Sequence, residues 1–136
     1  MYSSDTKLRV RYGETDRMGY AYYGNYAEYI EVGRVEALRE LGYSYRELED
    51  SGVLLPVLEY WSKFIKPAGY DDLLTVWTMI HEVPETRFPF DYEVLNEQGE
   101  LLTKARTTLV FVDKDSGRPC QCPEELQASI KKALEA

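Results

Sequence analysis

The chain has 136 residues, enough for one domain with a single core, and its 44% apolar and 29% charged residues exclude wholesale disorder. A net charge of −8 with one histidine opposes generic binding to nucleic acid or to an anionic membrane. No apolar run approaches membrane-spanning length, and MYSSDTKLRV (Met1–Val10) lacks the core of a signal peptide, so no membrane insertion and a cytoplasmic location are expected.

Along the chain, KLRVRY (Lys7–Tyr12) puts Leu8, Val10 and Tyr12 on one face, the pattern of a half-buried strand. Glu14 to Tyr23 has no steady period and is bracketed by Gly13, Gly19 and Gly24, which predicts a loop. From Asn25 the period becomes helical: Tyr26, Ile30, Gly33, Ala37 and Leu41 form one stripe. Asn25 is a candidate N-cap, with Glu28 three residues later imitating a capping box, and Gly42 suits a left-handed C-cap. Gly33 inside that helix costs about 1 kcal/mol relative to alanine, so close approach to a sheet is the expected reason for it.

A short helix is expected over Tyr45–Ser51. Val53–Ile65 reads as a strand whose Pro56 implies an edge position or a bulge. KPAGYDD (Lys66–Asp72) is a turn, and Leu73–Val83, Arg87–Leu95 and Leu101–Val112 are further strands. Unbroken Val110-Phe111-Val112 suggests cover on both faces of the last. Pro123 opens a C-terminal helix with acids in its first turn and Lys131 and Lys132 near its end. One long helix with one antiparallel sheet to bury its stripe is an α+β domain, with the helix across a curled sheet.

Cys120 and Cys122, one residue apart, would form a badly strained bridge and are too few for structural zinc, so reduced thiols are expected. GYDD (Gly69–Asp72) pairs two acids without a third ligand, and no metal is assigned. His81, alone at a strand end, reads as a surface residue. Twelve tyrosines fit half-wet pockets or a subunit interface.

The stretch with chemistry in it is GETDRMGYAYYGNYAEYIEVGR (Gly13–Arg34). A helix N-terminus near Gly24 and Asn25 offers unpaired amides to an anion, or to a carbonyl oxygen gaining charge under attack. Asp16 could attack the carbonyl carbon or deprotonate a water that does, which is sufficient for acyl transfer from a thioester, whose thiolate leaves without a strong acid. An aspartate before a glycine turn also serves simply to cap its own loop, and the tyrosines to pack. Spacing alone leaves both readings open.

The same segment resembles the signature of hotdog-fold acyl-CoA thioesterases of the 4-hydroxybenzoyl-CoA and Tol-Pal-associated type, with looser similarity through KFIKPAGYDDLLTV (Lys63–Val76). The resemblance implies a single hotdog domain over residues 1–136, with a sheet of about five strands, that hydrolyses an acyl-CoA thioester to free acid and coenzyme A. It implies Asp16 as the catalytic carboxylate, Tyr23 as the residue whose amide polarises the carbonyl, and Asn25 and Tyr26 as the pair shaping the pocket. The amide of Gly24, where the family often has proline or alanine, can join that of Tyr23 in a looser helix mouth, and Tyr22 falls within the substrate-binding run. Lys63 and Lys66 are candidate contacts to the nucleotide phosphates. No cofactor is implied beyond the coenzyme A of the substrate, and self-association as a dimer or tetramer is. An acyl-thioester or acyl-carrier binding protein without useful hydrolysis is the alternative on the same scaffold.

Overall fold

The computed structural model describes all residues, 1–136. Its main sheet is antiparallel and five-stranded, in the order β1-β4-β5-β6-β3, formed by β1 (Tyr2–Arg9), β3 (Val57–Phe64), β4 (Leu73–Ile80), β5 (Arg87–Leu95) and β6 (Leu101–Val110). A two-stranded ladder of β2 (Val53–Leu54) and β7 (Val112–Asp113) sits beside it. The helices are α1 (Asn25–Glu40), α2 (Tyr45–Asp50) and α3 (Glu124–Glu135).

Alternation explains the core. Leu74, Val76, Thr78 and Ile80 of β4 and Phe88, Phe90, Tyr92 and Val94 of β5 are buried at every second position. Their aromatic rings run along β5 as a ladder, with Phe88 and Phe90 4.1 Å apart between centroids. Against this face lies α1, its Tyr26, Tyr29, Ile30, Gly33, Ala37 and Leu38 buried, with most of its sheet contact on β1 and β4. Gly33 makes the approach close: a Cβ there would stand 2.6 Å from Val76 Cγ1 and 2.7 Å from Thr78 Oγ1. This is a hotdog fold, a long helix wrapped by a curved antiparallel sheet.

One buried charge ties the layers together. Arg34 of α1 donates from Nε to the Tyr45 hydroxyl at 2.7 Å and from Nη1 to the Tyr92 hydroxyl at 3.1 Å, and the latter meets Thr107 Oγ1 at 2.7 Å. A cation bonded only to phenols, with no carboxylate beside it in the hydrogen-bond network, joins α1 to α2, β5 and β6.

Several boundaries differ from the sequence reading, each for a physical reason. The first strand runs from Tyr2, not Lys7, because it pairs with β4 along its whole length from Tyr2 opposite Ile80 to Arg9 opposite Leu73. It ends before Tyr12, which stands exposed in a 3-10 turn (Tyr12–Glu14) and not on a buried face. Pro56 breaks the expected Val53–Ile65 strand into β2 and β3, and β3 is an edge strand with an irregularity between Val57 and Glu59. The last long strand stops at Val110, and buried Phe111 is the pivot from which β7 turns to pair with β2.

Both ends of α1 are built with hydrogen bonds. At the C-terminal end Gly42 takes a left-handed φ of +85°, and the Tyr43 amide donates to Leu38 O at 2.9 Å, closing a Schellman turn. Ser129 Oγ of α3 donates to Leu41 O at 2.6 Å, so α3 clamps that end. At the other end Asn25 is not the N-cap. Gly24 holds that position with helical φ and ψ and no side-chain cap, because the Asn25 amide group is used elsewhere, as described below.

Cys120 and Cys122 are both free thiols. Burial pushes the Cys122 thiol up to about 12, and burial followed by the nearby Asp113 carboxylate raises that of Cys120.

Candidate active site

The loop from Glu14 to Gly24 is folded on itself. Thr15 bridges to Ala21 and Tyr20 to Gly69, while the Ala21 amide donates to Ala68 O at 2.7 Å. At the tip the Asp16 amide donates to Tyr20 O at 2.7 Å and the Gly19 amide to Asp16 O at 3.0 Å, with Gly19 at φ +85°. This is the geometry for which glycine is needed.

Asp16 Oδ1 accepts the amides of Met18 at 2.9 Å and Tyr20 at 3.1 Å. Its Oδ2 accepts none within the chain. The local cap uses only half of the carboxylate: one oxygen holds the loop and the other is left without a partner. The carboxylate is half-buried and borders a cavity of about 390 Å³, whose wall includes Met18, Tyr20, Ala21, Tyr23 and Tyr26 together with Phe64, Ile65, Lys66 and Pro67. Phe64 packs edge-on to Tyr26 at 5.1 Å and Tyr23 at 6.4 Å.

At the helix mouth the Asn25 amide bonds back to Tyr22 O at 2.9 Å and that of Tyr26 to Tyr23 O at 3.2 Å. The backbone N–H groups of Tyr23 and Gly24 have no acceptor in the chain. They lie immediately ahead of α1, Gly24 at its N-cap, where the helix dipole favours negative charge. Gly24 also leaves room for a ring beside it. A Cβ at this position would stand 2.7 Å from Cε2 of the Tyr22 ring, which itself leans on Tyr23 with centroids 4.6 Å apart. The glycine admits a packed aromatic cover.

Of the residues singled out in the sequence, Asp16, Tyr23, Tyr26 and Lys66 line this one cavity. Gly24 and Tyr22 are the chain neighbours of Tyr23 and do not line it, and Asn25 anchors the loop, donating from Nδ2 to Glu14 O at 2.6 Å. Lys66 is held by Glu100, whose carboxyl the ammonium lowers. Lys63 is placed away from the cavity: it is paired opposite Lys104 and beside Trp61, which lines a separate cavity with Lys104 and Arg106. His81 pairs with Asp91 at 3.0 Å, as does Arg106 at 2.9 Å, outside the Asp16 cavity.

Glu14 escaped the sequence reading. Its Oε1 accepts the Arg11 amide at 2.8 Å and the Tyr29 hydroxyl at 3.1 Å, and its Oε2 accepts Arg11 Nε at 3.1 Å. Burial pushes this carboxyl up, but the bonds from Arg11 and Tyr29 outweigh it and hold Glu14 below the usual carboxylate range. The side chain that fixes the start of the loop thus reaches across to the first turns of α1. Such a group stabilises the fold above its unfolded pKa and loses that effect as the pH falls through its lower folded pKa. Glu14→Gln is accordingly expected to cost about 1–2 kcal/mol at neutral pH. In urea titrations the gap from wild type should close as the pH falls below about 4, and a gap constant across that range would contradict the assignment.

The fold defines a hotdog protein in which a carboxylate, two unpaired backbone amides and an apolar cavity meet where the central helix begins. The chain belongs to the thioesterase-like superfamily, which matches residues 10–130. It is 37% identical over 121 residues to YneP of Bacillus subtilis, covering 89% of this chain and 88% of that one. It is 27% identical to the 1,4-dihydroxy-2-naphthoyl-CoA hydrolase of Thermosynechococcus vestitus over 96% of this chain and 90% of that one. A DHNA-CoA thioesterase structure from Staphylococcus aureus superposes with a TM-score of 0.94 at 32% identity, covering 99% of this chain and 93% of that one.

Proposed function

We propose that this protein hydrolyses acyl-CoA thioesters, with Asp16 as nucleophile or general base and the amides of Tyr23 and Gly24 as the oxyanion site. The observation that carries this is the coincidence of a carboxylate with one free oxygen, two unpaired helix-mouth amides and an apolar cavity beside Asp16. On the general-base route Asp16 takes a proton from water, whose oxygen adds to the carbonyl carbon. The oxyanion is held by the amides, the C–S bond breaks, and the departing thiolate recovers the proton. On the nucleophilic route the carboxylate adds to the carbonyl carbon and expels the coenzyme A thiolate, and water then cleaves the resulting mixed anhydride to the free acid and restores the carboxylate. Either way the products are a free acid and coenzyme A. No metal or further cofactor enters these steps.

Named relatives support this substrate class. The cyanobacterial protein is a CoA hydrolase and the staphylococcal one a CoA thioesterase. The test is release of free thiol from aliphatic and aromatic acyl-CoAs. Release from at least one, at a rate proportional to enzyme, is the expected result, and binding without release from every one would leave a binding protein.

Self-association accompanies this reading. Strand β3 leaves a sheet edge unpaired and exposes Val57, Leu58, Tyr60, Trp61 and Phe64, the surface a second copy would cover by edge pairing. Light scattering is expected to give two or four times the 15.8 kDa of one chain, and a monomer at micromolar concentration would exclude it. The free thiols fit a reducing cytoplasm, and no helix is long and apolar enough to cross a membrane.

A further inference from the structure

The carboxylate and the amides assigned to catalysis above lie on different pieces of backbone. Asp16 stands at the tip of a tight hairpin, closed by its amide on Tyr20 O and the bridge of Thr15 to Ala21, with the Tyr22 amide on Glu14 O at 2.8 Å as the base. The free amides of Tyr23 and Gly24 belong to the start of α1. Ala21 and Tyr20 tie the hairpin to the turn at Ala68 and Gly69, but not to the helix. Toward the helix the backbone provides one path, through Tyr22, about which a hairpin can tilt.

Two side chains of α1 close that freedom. Asn25 Nδ2 donates to Glu14 O at 2.6 Å, and the Tyr29 hydroxyl donates to Glu14 Oε1 at 3.1 Å. Positions 25 and 29 are one helical turn apart and share a face. Both bonds end on Glu14, two residues before Asp16, and Arg11 Nε holds the same carboxylate from the other side at 3.1 Å. The brace is sheltered, with Tyr29 3% exposed and the Glu14 side chain 11%. Neither Asn25 nor Tyr29 lines the cavity beside Asp16.

Helix formation calls for neither polar group. Asn25 lies inside the first turn, where asparagine is a poorer helix former than alanine, and it does not cap the helix. The Tyr29 ring packs edge-on to Tyr26 at 5.3 Å, a place that phenylalanine would fill equally well. Attack on a carbonyl, by contrast, needs reacting atoms about 3–3.5 Å apart and aligned, and a misplacement of about 1 Å can cost about 100-fold in rate. We propose that Asn25 and Tyr29 are positioning residues, which act through Glu14 to set how the Asp16 carboxylate meets a carbonyl held by the Tyr23 and Gly24 amides. This rests on the assignment of Asp16 and those amides and adds what keeps them in register.

The test measures kcat and KM on benzoyl-CoA and hexanoyl-CoA for wild type, Asn25→Ala, Tyr29→Phe, Asp16→Asn and the double variant Asp16→Asn/Asn25→Ala. Ser129→Ala, which loses a hydrogen bond at the far end of α1, is the control for loosened packing. Asn25→Ala is expected to lower kcat about 10–30-fold and Tyr29→Phe about 3–5-fold, each with KM within about twofold, the signature of an effect confined to the transition state. Ser129→Ala should keep the wild-type kcat. In the Asp16→Asn background, Asn25→Ala should lower the residual turnover less than about twofold, because a carboxylate already removed needs no alignment.

The same fold loss in both backgrounds would mean damage to the amides or the loop at large. A comparable loss of kcat in Ser129→Ala would mean that any loosening of α1 suffices, and wild-type kcat in both Asn25→Ala and Tyr29→Phe would mean that the hairpin keeps its place unaided. Each of these overturns the proposal while leaving Asp16 in its role. Undiminished turnover by Asp16→Asn would instead overturn the assignment of Asp16 and the brace with it, and hydrolysis of neither substrate by wild type would overturn the thioesterase reading. Circular dichroism checks folding, and should Asn25→Ala fail it, Tyr29→Phe, which conserves volume, is combined with Asp16→Asn in its place.

Discussion

Asp16→Asn is expected to lower turnover at least about 100-fold while leaving the fold intact, in line with the 10²–10⁴-fold typical of positioned acid–base groups. The structure makes this substitution clean. Oδ1 accepts the Met18 and Tyr20 amides, and an asparagine carbonyl oxygen can accept both in the same place. Only the second oxygen changes, from an anion to a neutral amide that neither attacks a carbonyl nor takes a proton from water. Thermal unfolding should stay within a few degrees of wild type. Turnover of acyl-CoA near the wild-type rate would remove Asp16 from the chemistry and leave it as a loop cap.

The second large effect concerns stability. Gly33→Ala is expected to destabilise the protein by about 1–3 kcal/mol, the usual range for overpacking a core. By helix propensity alone alanine should gain about 1 kcal/mol, so the sign of the result decides between the two effects. The added methyl would press on Val76 Cγ1 and Thr78 Oγ1 at 2.6 and 2.7 Å. Both side chains are β-branched and fully buried, with little freedom to rotate away. Lifting α1 instead would strain Arg34, the very next residue, whose two phenol partners lie on α2 and β5. A urea midpoint unchanged or raised would show that the helix has slack against the sheet.

How much of this was legible depended on whether the signal was local. Strand β5 was readable to the residue, Arg87–Leu95, because both neighbours pair with it and strict alternation marks its buried face. Gly33 and Gly42 were readable because glycine in a helical stripe, or just beyond it, has few physical explanations. Asn25 was misread as a cap for the opposite reason. Its partner, Glu14 O, is eleven residues back, and only the folded loop shows that it is within reach. The cavity wall was half visible: Tyr23 and Tyr26 come from the motif, whereas Phe64, Ile65 and Pro67 come from the end of the edge strand and the turn after it, marked only by the looser similarity of KFIKPAGYDDLLTV. Charge also misleads without coordinates, since Lys66 is occupied by Glu100 and Lys63 stands apart from the cavity.

The two cysteines bear on how the enzyme can be watched. Enzymatic thiol release is followed with disulfide reagents, which react with thiolates. Folded, this polypeptide offers them little: Cys122 is sealed under the surface with its proton firmly held, and Cys120 is shifted the same way. Colour in such an assay, less a blank for the partly buried Cys120, therefore reports coenzyme A, and in denaturant the same reagent becomes a gauge of how many molecules have opened, two sulfur atoms for each chain.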